Sequence, residues 1–406
     1  MQVRVLAAVA PAPPERVPLM EARGRALRRA VVAPHPLPPF DNASMDGYAV
    51  RAADCAGASA SAPVTLPVAG VIPAGRVAPR ALGPGEAMRI MTGAMVPGDA
   101  DAVLPFEDVE RLEPPGGPER VRIPRPVKPG ENVRAAGADL AAGAGALAAG
   151  RELSAHDLAL IASLGFPEVE VGPRPRAALL STGDELLGVG EPLRPGAFRD
   201  SNLPMLALLL EECGARVVSA TRVGDDPGTV AAGVRAALAA ADVALTIGGV
   251  SAGDFDPVRL SLEAAGGAEL WRVAMKPGRP QAFGARGGKL FFGLPGNPGS
   301  VACVFETLVR PALRKWQGFA ALDRPSLEVR CRVAIASRSG RTDFVRATLE
   351  WRGGAWWAAP AGEQVSGHLT PQARAHALVI VPEEVERLEP GASARALLLR
   401  WPGDPA

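Results

Sequence analysis

The chain has few cysteines: Cys55, Cys213, Cys303 and Cys331 lie far apart and form no CxxC pair. That spacing speaks against a structural zinc site and against a disulfide framework, and it fits a reducing, cytoplasmic compartment. Excess charge is also missing. Lys+Arg number 44 and Asp+Glu 43, leaving +1, so bulk positive charge cannot hold a nucleic acid. No apolar run reaches the ~18 residues of a membrane span before Pro, Gly or a charge interrupts it. The opening segment, through ValLeuAlaAlaValAla, has too short an apolar stretch for a signal peptide and runs at once into Pro11–Arg16. The four histidines, His35, His156, His368 and His376, show no metal-ligand spacing and are read as solvated or structural. There is no GlyLysSer or GlyLysThr after a glycine loop, and no Gly-x-Gly-x-x-Gly, so a nucleotide would be held differently from those folds.

What the chain does contain is length and punctuation. At 406 residues it predicts roughly two to four domains. Glycine (46) and proline (41) make up about a fifth of it, which is loop-rich but short of the ~25–30% that marks disorder. A helix is expected around Pro14–Val32, then an extended proline run to about Pro39. Short Val/Ile/Leu runs between Arg51 and Arg134 predict small strands, and Ser154 is placed to cap a helix that Gly165 ends. From Arg176 to Trp316 strands and helices alternate. Strands are expected at Arg176–Leu180, Ala215–Arg222, Asp242–Ile247 and Leu290–Gly293. Helices are expected at Asn202–Cys213, from Asp226 to about Ala240, at Pro257–Ala265 and at Asn297–Leu313. This is the pattern of a parallel, doubly wound sheet. Past Ser326, period-2 alternation predicts a small β-barrel or sandwich, in which Trp356 and Trp357 pack rather than stack on a ligand.

Ligands of open parallel sheets bind beyond the carboxyl ends of the strands. Three unusual turns fall there: Ser181-Thr182-Gly183-Asp184-Glu185, Gly248 to Asp256, and Leu294-Pro295-Gly296-Asn297-Pro298. Glycine lets a backbone approach phosphate closely, and the neighbouring carboxylates Glu185, Asp225, Asp254 and Asp256 suit Mg²⁺, which shares its shell with substrate phosphate. Asp226, before Pro227, is the expected helix cap. Lys276-Pro277-Gly278-Arg279-Pro280 sets two cations on a proline-stiffened loop, an anion clamp for phosphate or an oxyanion. Each feature also has a plain structural explanation as a turn, a cap or a solvated charge; their convergence on one edge favours a site.

Taken together, these segments closely resemble the molybdopterin molybdenumtransferase family, the MoeA proteins and the E domain of gephyrin. The likeness rests on Phe40–Val50, Arg89–Val103, Gly130–Asp139, Ser181–Leu186, Asp200–Asn202, Gly248–Pro257, Lys276–Pro280 and Leu294–Pro298. Gly340-Arg341 with Phe344 and Arg346, and Gln364–Gly367, add to it. The resemblance implies a multidomain α/β protein. It would comprise a three-layer α/β parallel-sheet domain of molybdopterin-binding type (173–325), an elongated discontinuous N-terminal domain (1–50 and 135–172), an inserted β-rich domain (51–134) and a C-terminal β-barrel (326–406).

It also implies a reaction: adenylylated molybdopterin and molybdate are bound, Mg²⁺ assists, and AMP is released as molybdenum passes to the dithiolene. The implied assembly is a homodimer whose site is shared between subunits. A separate molybdopterin adenylyltransferase would supply the substrate, apo-molybdoenzymes would receive the product, and no nucleic acid or membrane is involved. Carried over by position, Asp46, Thr92, Asp139, Glu185, Asp225 and Asp256 are the reactive-site residues, the last three with Mg²⁺. Thr182, Gly183, Gly248, Gly249, Ser251, Arg272, Lys276, Arg279, Pro295, Asn297 and Pro298 bind substrate or anion. Arg272 and Arg279 stand where the family commonly has lysine. Competing readings are a molybdopterin adenylyltransferase, a non-catalytic scaffold and a generic phosphate- or nucleotide-binding module.

Overall fold

Strands covered on both faces need no polar alternation, and apolar runs of that kind form the centre of one six-stranded sheet. In the computed structural model, which describes residues 1–249 and 269–403, these are β1 (Arg176–Thr182) and β3 (Val243–Ile247), with the partly exposed β2 (Arg216–Val223) at the edge beside β1. They are followed by β4 (Glu269–Arg272), β5 (Pro280–Arg286) and β6 (Lys289–Leu294). The order across the sheet is β2-β1-β3-β6-β5-β4, the first four parallel and the last two antiparallel. The expected parallel strands are all present; the antiparallel pair at the edge is an addition. Successive residues of a strand face opposite ways. Leu179, Leu245 and Phe292 accordingly join one core with Leu206, Leu210 and Phe305. Their neighbours Leu180, Ala244 and Phe291 join another with Val230 and Val234. A sheet with a separate apolar core on each face is the middle of three layers.

The covering helices begin where the sequence predicts. α1 spans Asn202–Glu212, and α2 spans Pro227–Ala240, capped by Asp226, whose side chain accepts from the Thr229 N–H. α3 (Pro298–Val304) passes through a π-helical turn, Phe305–Val309, into α4 (Arg310–Gln317), which ends on Gly318 in the left-handed region. The helix expected at Pro257–Ala265 lies outside the described residues.

The period-2 segment closes into a five-stranded barrel. Its strands are β7 (Ser326–Cys331), β8 (Thr342–Arg352), β9 (Ala355–Pro360), β10 (Ala377–Val381) and β11 (Ser393–Leu398), in the order β8-β9-β7-β11-β10. Pairing of β10 with β8 closes the circle and removes both edges. Inward positions such as Val329, Val345, Ala347 and Val379 form its core.

One expectation fails. No helix spans Pro14–Val32. Glu15–Pro18 is a strand paired antiparallel with Glu168–Val171, and Arg25, buried, donates to the Gly172 carbonyl through Nε and Nη2 (3.1 and 2.7 Å). A partner some 150 residues away outweighs local propensity.

By its internal contacts the chain forms two units. One holds Met1–Arg29, Ala149–Leu158 and Pro167–Ala406; the other holds Ala30–Ala148 and Ala159–Phe166. The second unit is built on a six-stranded sheet ordered Ala102–Pro105, Gly47–Val50, Ala87–Ile90, Val64–Ile72, Arg120–Ile123, Glu110–Leu112. Gly47 is dictated by this packing, since a Cβ there would lie 1.9 Å from the Leu104 carbonyl oxygen. Tyr48, the single tyrosine, is buried, with its hydroxyl on Glu119 at 2.6 Å.

Candidate functional site

The chain leaves β1 for β2 on one side, crosses back to β3 on the other and continues outward to β6, so β1 and β3 are neighbours whose following connections run to opposite sides. That is a topological switch point, where open α/β sheets hold ligands. The register sets Thr182 opposite Val223, Ser181 opposite Ile247, and Ile247 opposite Leu294. Thr182-Gly183-Asp184-Glu185, Gly224-Asp225, Gly248-Gly249 and Pro295–Asn297 are therefore brought to one edge.

The backbone there is close-set. Gly248 has φ 84°, and a Cβ on it would meet the Thr182 carbonyl and hydroxyl oxygens at 3.0 and 3.1 Å. Gly183 has φ 152°, and a Cβ there would press on the Glu185 carboxylate at 2.6 Å, so that carboxylate lies back over the turn. The Asp184 N–H donates to the Asp225 carboxylate (3.3 Å) and the Asp225 N–H donates to that of Asp184 (3.2 Å), a reciprocal clasp between two loops. Asn202, at the start of α1, donates through Nδ2 to the Gly296 carbonyl at 2.6 Å, while Asp200 accepts from the Asn202 and Leu203 N–H groups. The Asp200–Asn202 motif thus fixes the Leu294–Pro298 turn.

Asp184, Glu185 and Asp225 offer hard carboxylate oxygen beside glycine backbone. Their chemistry fits Mg²⁺, which takes one or two carboxylates and completes its shell with phosphate and water. Among the described residues no three His, Cys, Asp or Glu side chains are gathered as a complete metal cluster. Ser251, Asp254 and Asp256 lie outside the described residues.

Beside the Leu294–Pro298 turn is a cavity of about 750 Å³. Arg272 lines it from the end of β4, Lys276 and Arg279 from the segment joining β4 to β5, Pro295, Asn297 and Ser300 from the turn and α3, and Arg338, Arg341 and Gln364–Ser366 from loops of the barrel. Among the described residues five cations and no carboxylate line this space. Arg341 is paired outside it with buried Asp343 at 2.9 Å. Among the described residues Arg272, Lys276, Arg279 and Arg338 have no ion-pair partner. Like charges repel, and holding four unpaired cations around one space costs stability unless an anion enters. Arg338 carries no signal in the sequence: it is one exposed arginine in a loop, joined to the others only by tertiary structure.

In the second unit two motifs that the sequence offers separately come together. The Asp46 Oδ1 accepts from both the N–H and the hydroxyl of Thr92, each at 2.6 Å. These bonds hold the Asp46 carboxyl below its ordinary pKa. Asp139 is exposed in the same unit, with its N–H on the Leu37 carbonyl at 3.0 Å.

A three-layer sheet with glycine turns and carboxylates at its switch point, opening beside a cationic cavity, is the architecture of a ligand-binding α/β protein suited to anionic ligands. Sequence comparison narrows the class. Residues 1–165 match the MoeA N-terminal region (domain I and II), 178–315 a probable molybdopterin binding domain, and 328–399 the MoeA C-terminal region (domain IV). A Mycobacterium tuberculosis protein named molybdopterin molybdenumtransferase 2 is 40% identical over 384 residues, 93% of each chain. The Bacillus subtilis molybdopterin molybdenumtransferase is 34% identical, covering 96% of this chain and 92% of its own. A crystal structure of a Pyrococcus horikoshii MoeA protein superposes with a TM-score of 0.83 at 33% identity, covering 98% of both chains. The chain belongs to the MoeA family of molybdopterin molybdenumtransferases, and its place is in molybdenum cofactor biosynthesis.

Proposed function

We propose that this protein inserts molybdate into adenylylated molybdopterin, with Mg²⁺-dependent release of AMP, and that it acts as a cytoplasmic homodimer. The observation that carries the reading is the gathering of Arg272, Lys276, Arg279, Arg338 and Arg341 around one cavity beside the glycine turns of the sheet edge. Its size lies within the ~300–1,000 Å³ usual for ligand sites, so it has room for a tetrahedral oxyanion together with part of a larger phosphate-bearing substrate.

The roles follow from chemistry. Thr182, Gly183, Gly248, Gly249 and Ser251 bring backbone and hydroxyl donors to the phosphates. Arg272, Lys276 and Arg279 bind and orient the oxyanion, and Pro295, Asn297 and Pro298 shape the turn between cavity and sheet edge. Glu185, Asp225 and Asp256 would hold Mg²⁺, which when bound neutralises charge on phosphate oxygens. Cleavage of a phosphoanhydride needs charge stabilisation more than a covalent nucleophile, and fixed cations provide it. Asp46, Thr92 and Asp139 are assigned to the wall contributed by the second subunit. The four-domain division at about residues 50, 134, 172 and 325 is part of the same reading.

The test is AMP release from adenylylated molybdopterin, coupled to activation of an apo-molybdoenzyme. Release that requires both molybdate and Mg²⁺, and that falls at least ~100-fold in Asp225→Asn with the fold intact, supports the proposal. AMP formed from ATP and molybdopterin would make it an adenylyltransferase, and binding without AMP release would make it a scaffold.

A further inference from the structure

Arg346, in β8, is among the most deeply buried large side chains, 1% exposed, yet among the described residues no carboxylate pairs with it. Burial alone lowers its pKa. A buried cation of this kind needs its donors satisfied, and every acceptor comes from one short loop. Nη1 donates to the His368 carbonyl (3.0 Å), Nη2 to those of Val365 (3.0 Å) and Glu363 (3.4 Å), and Nε to the Gln364 side-chain oxygen (3.3 Å). Gln364 completes the clasp, accepting from the Arg346 N–H at 2.9 Å and donating to the Arg346 carbonyl at 3.1 Å. The carbonyl of Ser366 accepts instead from the Gly299 N–H at 2.8 Å, in the first turn of α3. Gly299 has no room for a side chain: a Cβ would lie 2.9 Å from both Arg346 Nη1 and the Ser366 oxygen.

Each of these peptide groups is planar and trans, so a carbonyl turned toward Arg346 or Gly299 turns the following N–H the other way. Within residues 363–367 the groups so turned are the N–H of Gln364, Ser366 and Gly367. Among the described residues none of the three has an acceptor. Gln364 and Ser366 line the cationic cavity. Consecutive unpaired N–H groups in a turn form an anion-binding concavity.

We infer that the 363–367 loop is a main-chain oxyanion cradle and that Arg346 is the residue that positions it. Arg346 does not touch the anion. It collects the loop's carbonyl oxygens behind the cavity wall, so that the N–H groups and not the oxygens meet a tetrahedral dianion. This rests on the reading of the cavity as the oxyanion site and adds a positioning residue to it.

The test uses the intact protein with molybdate alone as probe. Titration of the parent and of Lys276→Ala establishes the cavity first: if the parent does not bind molybdate there, the functional reading fails, independently of the cradle. With binding established, hydrogen exchange of residues 364–367 is expected to slow on molybdate addition, and unchanged exchange in the bound protein would overturn the cradle. Arg346→Met and Arg346→Lys are expected to weaken molybdate binding by about 10-fold or more in folded protein. Lysine should fail to rescue, because a single ammonium cannot span three carbonyls and an amide. Affinity within twofold of the parent in either folded variant would overturn the positioning role. Should neither variant fold, the exchange measurement on the parent decides.

Discussion

The basic cavity makes a prediction in which affinity and stability part company. Lys276 and Arg279 are exposed cations on one loop, without an ion-pair partner among the described residues. Two unit charges ~4 Å apart interact by about 1 kcal/mol at the dielectric of water and about 4 kcal/mol at an effective value of ~20. A solvent-open cavity lies toward the lower figure. Truncating either residue should then cost a bound oxyanion roughly 1–2 kcal/mol, or about 5- to 30-fold in Kd. Because the two sit on one rigid loop, the double variant Lys276→Ala/Arg279→Ala should lose at least the product of the single effects. No ion pair is broken in the free protein and like-charge repulsion is relieved, so the melting temperature should hold steady or rise slightly. Calorimetric titration with molybdate, paired with thermal melts, reads both quantities. Raising ionic strength should weaken the parent more than the double variant, since the Debye length shrinks to a few ångströms at molar salt. A double variant that binds molybdate within twofold of the parent, yet melts markedly lower, would refute the argument and make these cations structural.

Two further predictions concern the scaffold. Glu306, buried in the π-helical turn, accepts from Arg324 Nε and Nη2, each at 2.9 Å. Removing one member of a buried pair leaves the other uncompensated, so Glu306→Gln should destabilise by ~3 kcal/mol or more by chemical denaturation; a loss below ~1 kcal/mol would mean that Glu212, 3.2 Å from Arg324, suffices alone. At the helix Ala155–Ser163, the Ser154 hydroxyl accepts from the Asp157 N–H, and the Asp157 carboxylate accepts from the Ser154 N–H and hydroxyl. Burial pushes the Asp157 carboxyl up, but the bonds from Ser154 and the cation of Arg151 outweigh it, and the net pKa is lowered. A depressed carboxyl stabilises above its unfolded pKa, near 3.8, and that contribution is lost as pH falls through the folded value. Asp157→Asn should therefore destabilise at pH 7, and the loss should shrink as the pH falls below 3.8 and through the folded value; a loss that does not change with pH would show that the charge is irrelevant. Ser154→Ala should cost about 1 kcal/mol.

What could be read in advance divides along the range of the interactions. β1, β3 and β6 were legible because a doubly covered strand is written as an apolar run, and Asp226 was legible because a cap acts over three residues. β4 and β5 were not, since their short mixed sequences become strands only by pairing with the sheet edge. The segment Pro14–Val32 was misread for the same reason: its apolar spacing resembles a helix, while its actual partners, Glu168–Val171 and Gly172, lie at the far end of another segment. The site divides in the same way. Once the sheet topology is accepted, Thr182, Gly183, Gly248 and Asn297 must share an edge, because parallel strands deliver all their carboxyl ends to one side. The bond between Asp46 and Thr92, and the meeting of Lys276 with Arg338, have no such guarantee. Arg346 is the sharpest case: by strand alternation it should face water, and it is buried because the 363–368 loop wraps it with carbonyl oxygens. A charge that breaks the period of a strand, where no carboxylate lies opposite, is thus a sign that some loop has folded its backbone around that charge. In this protein that loop lines the cavity where an oxyanion would sit.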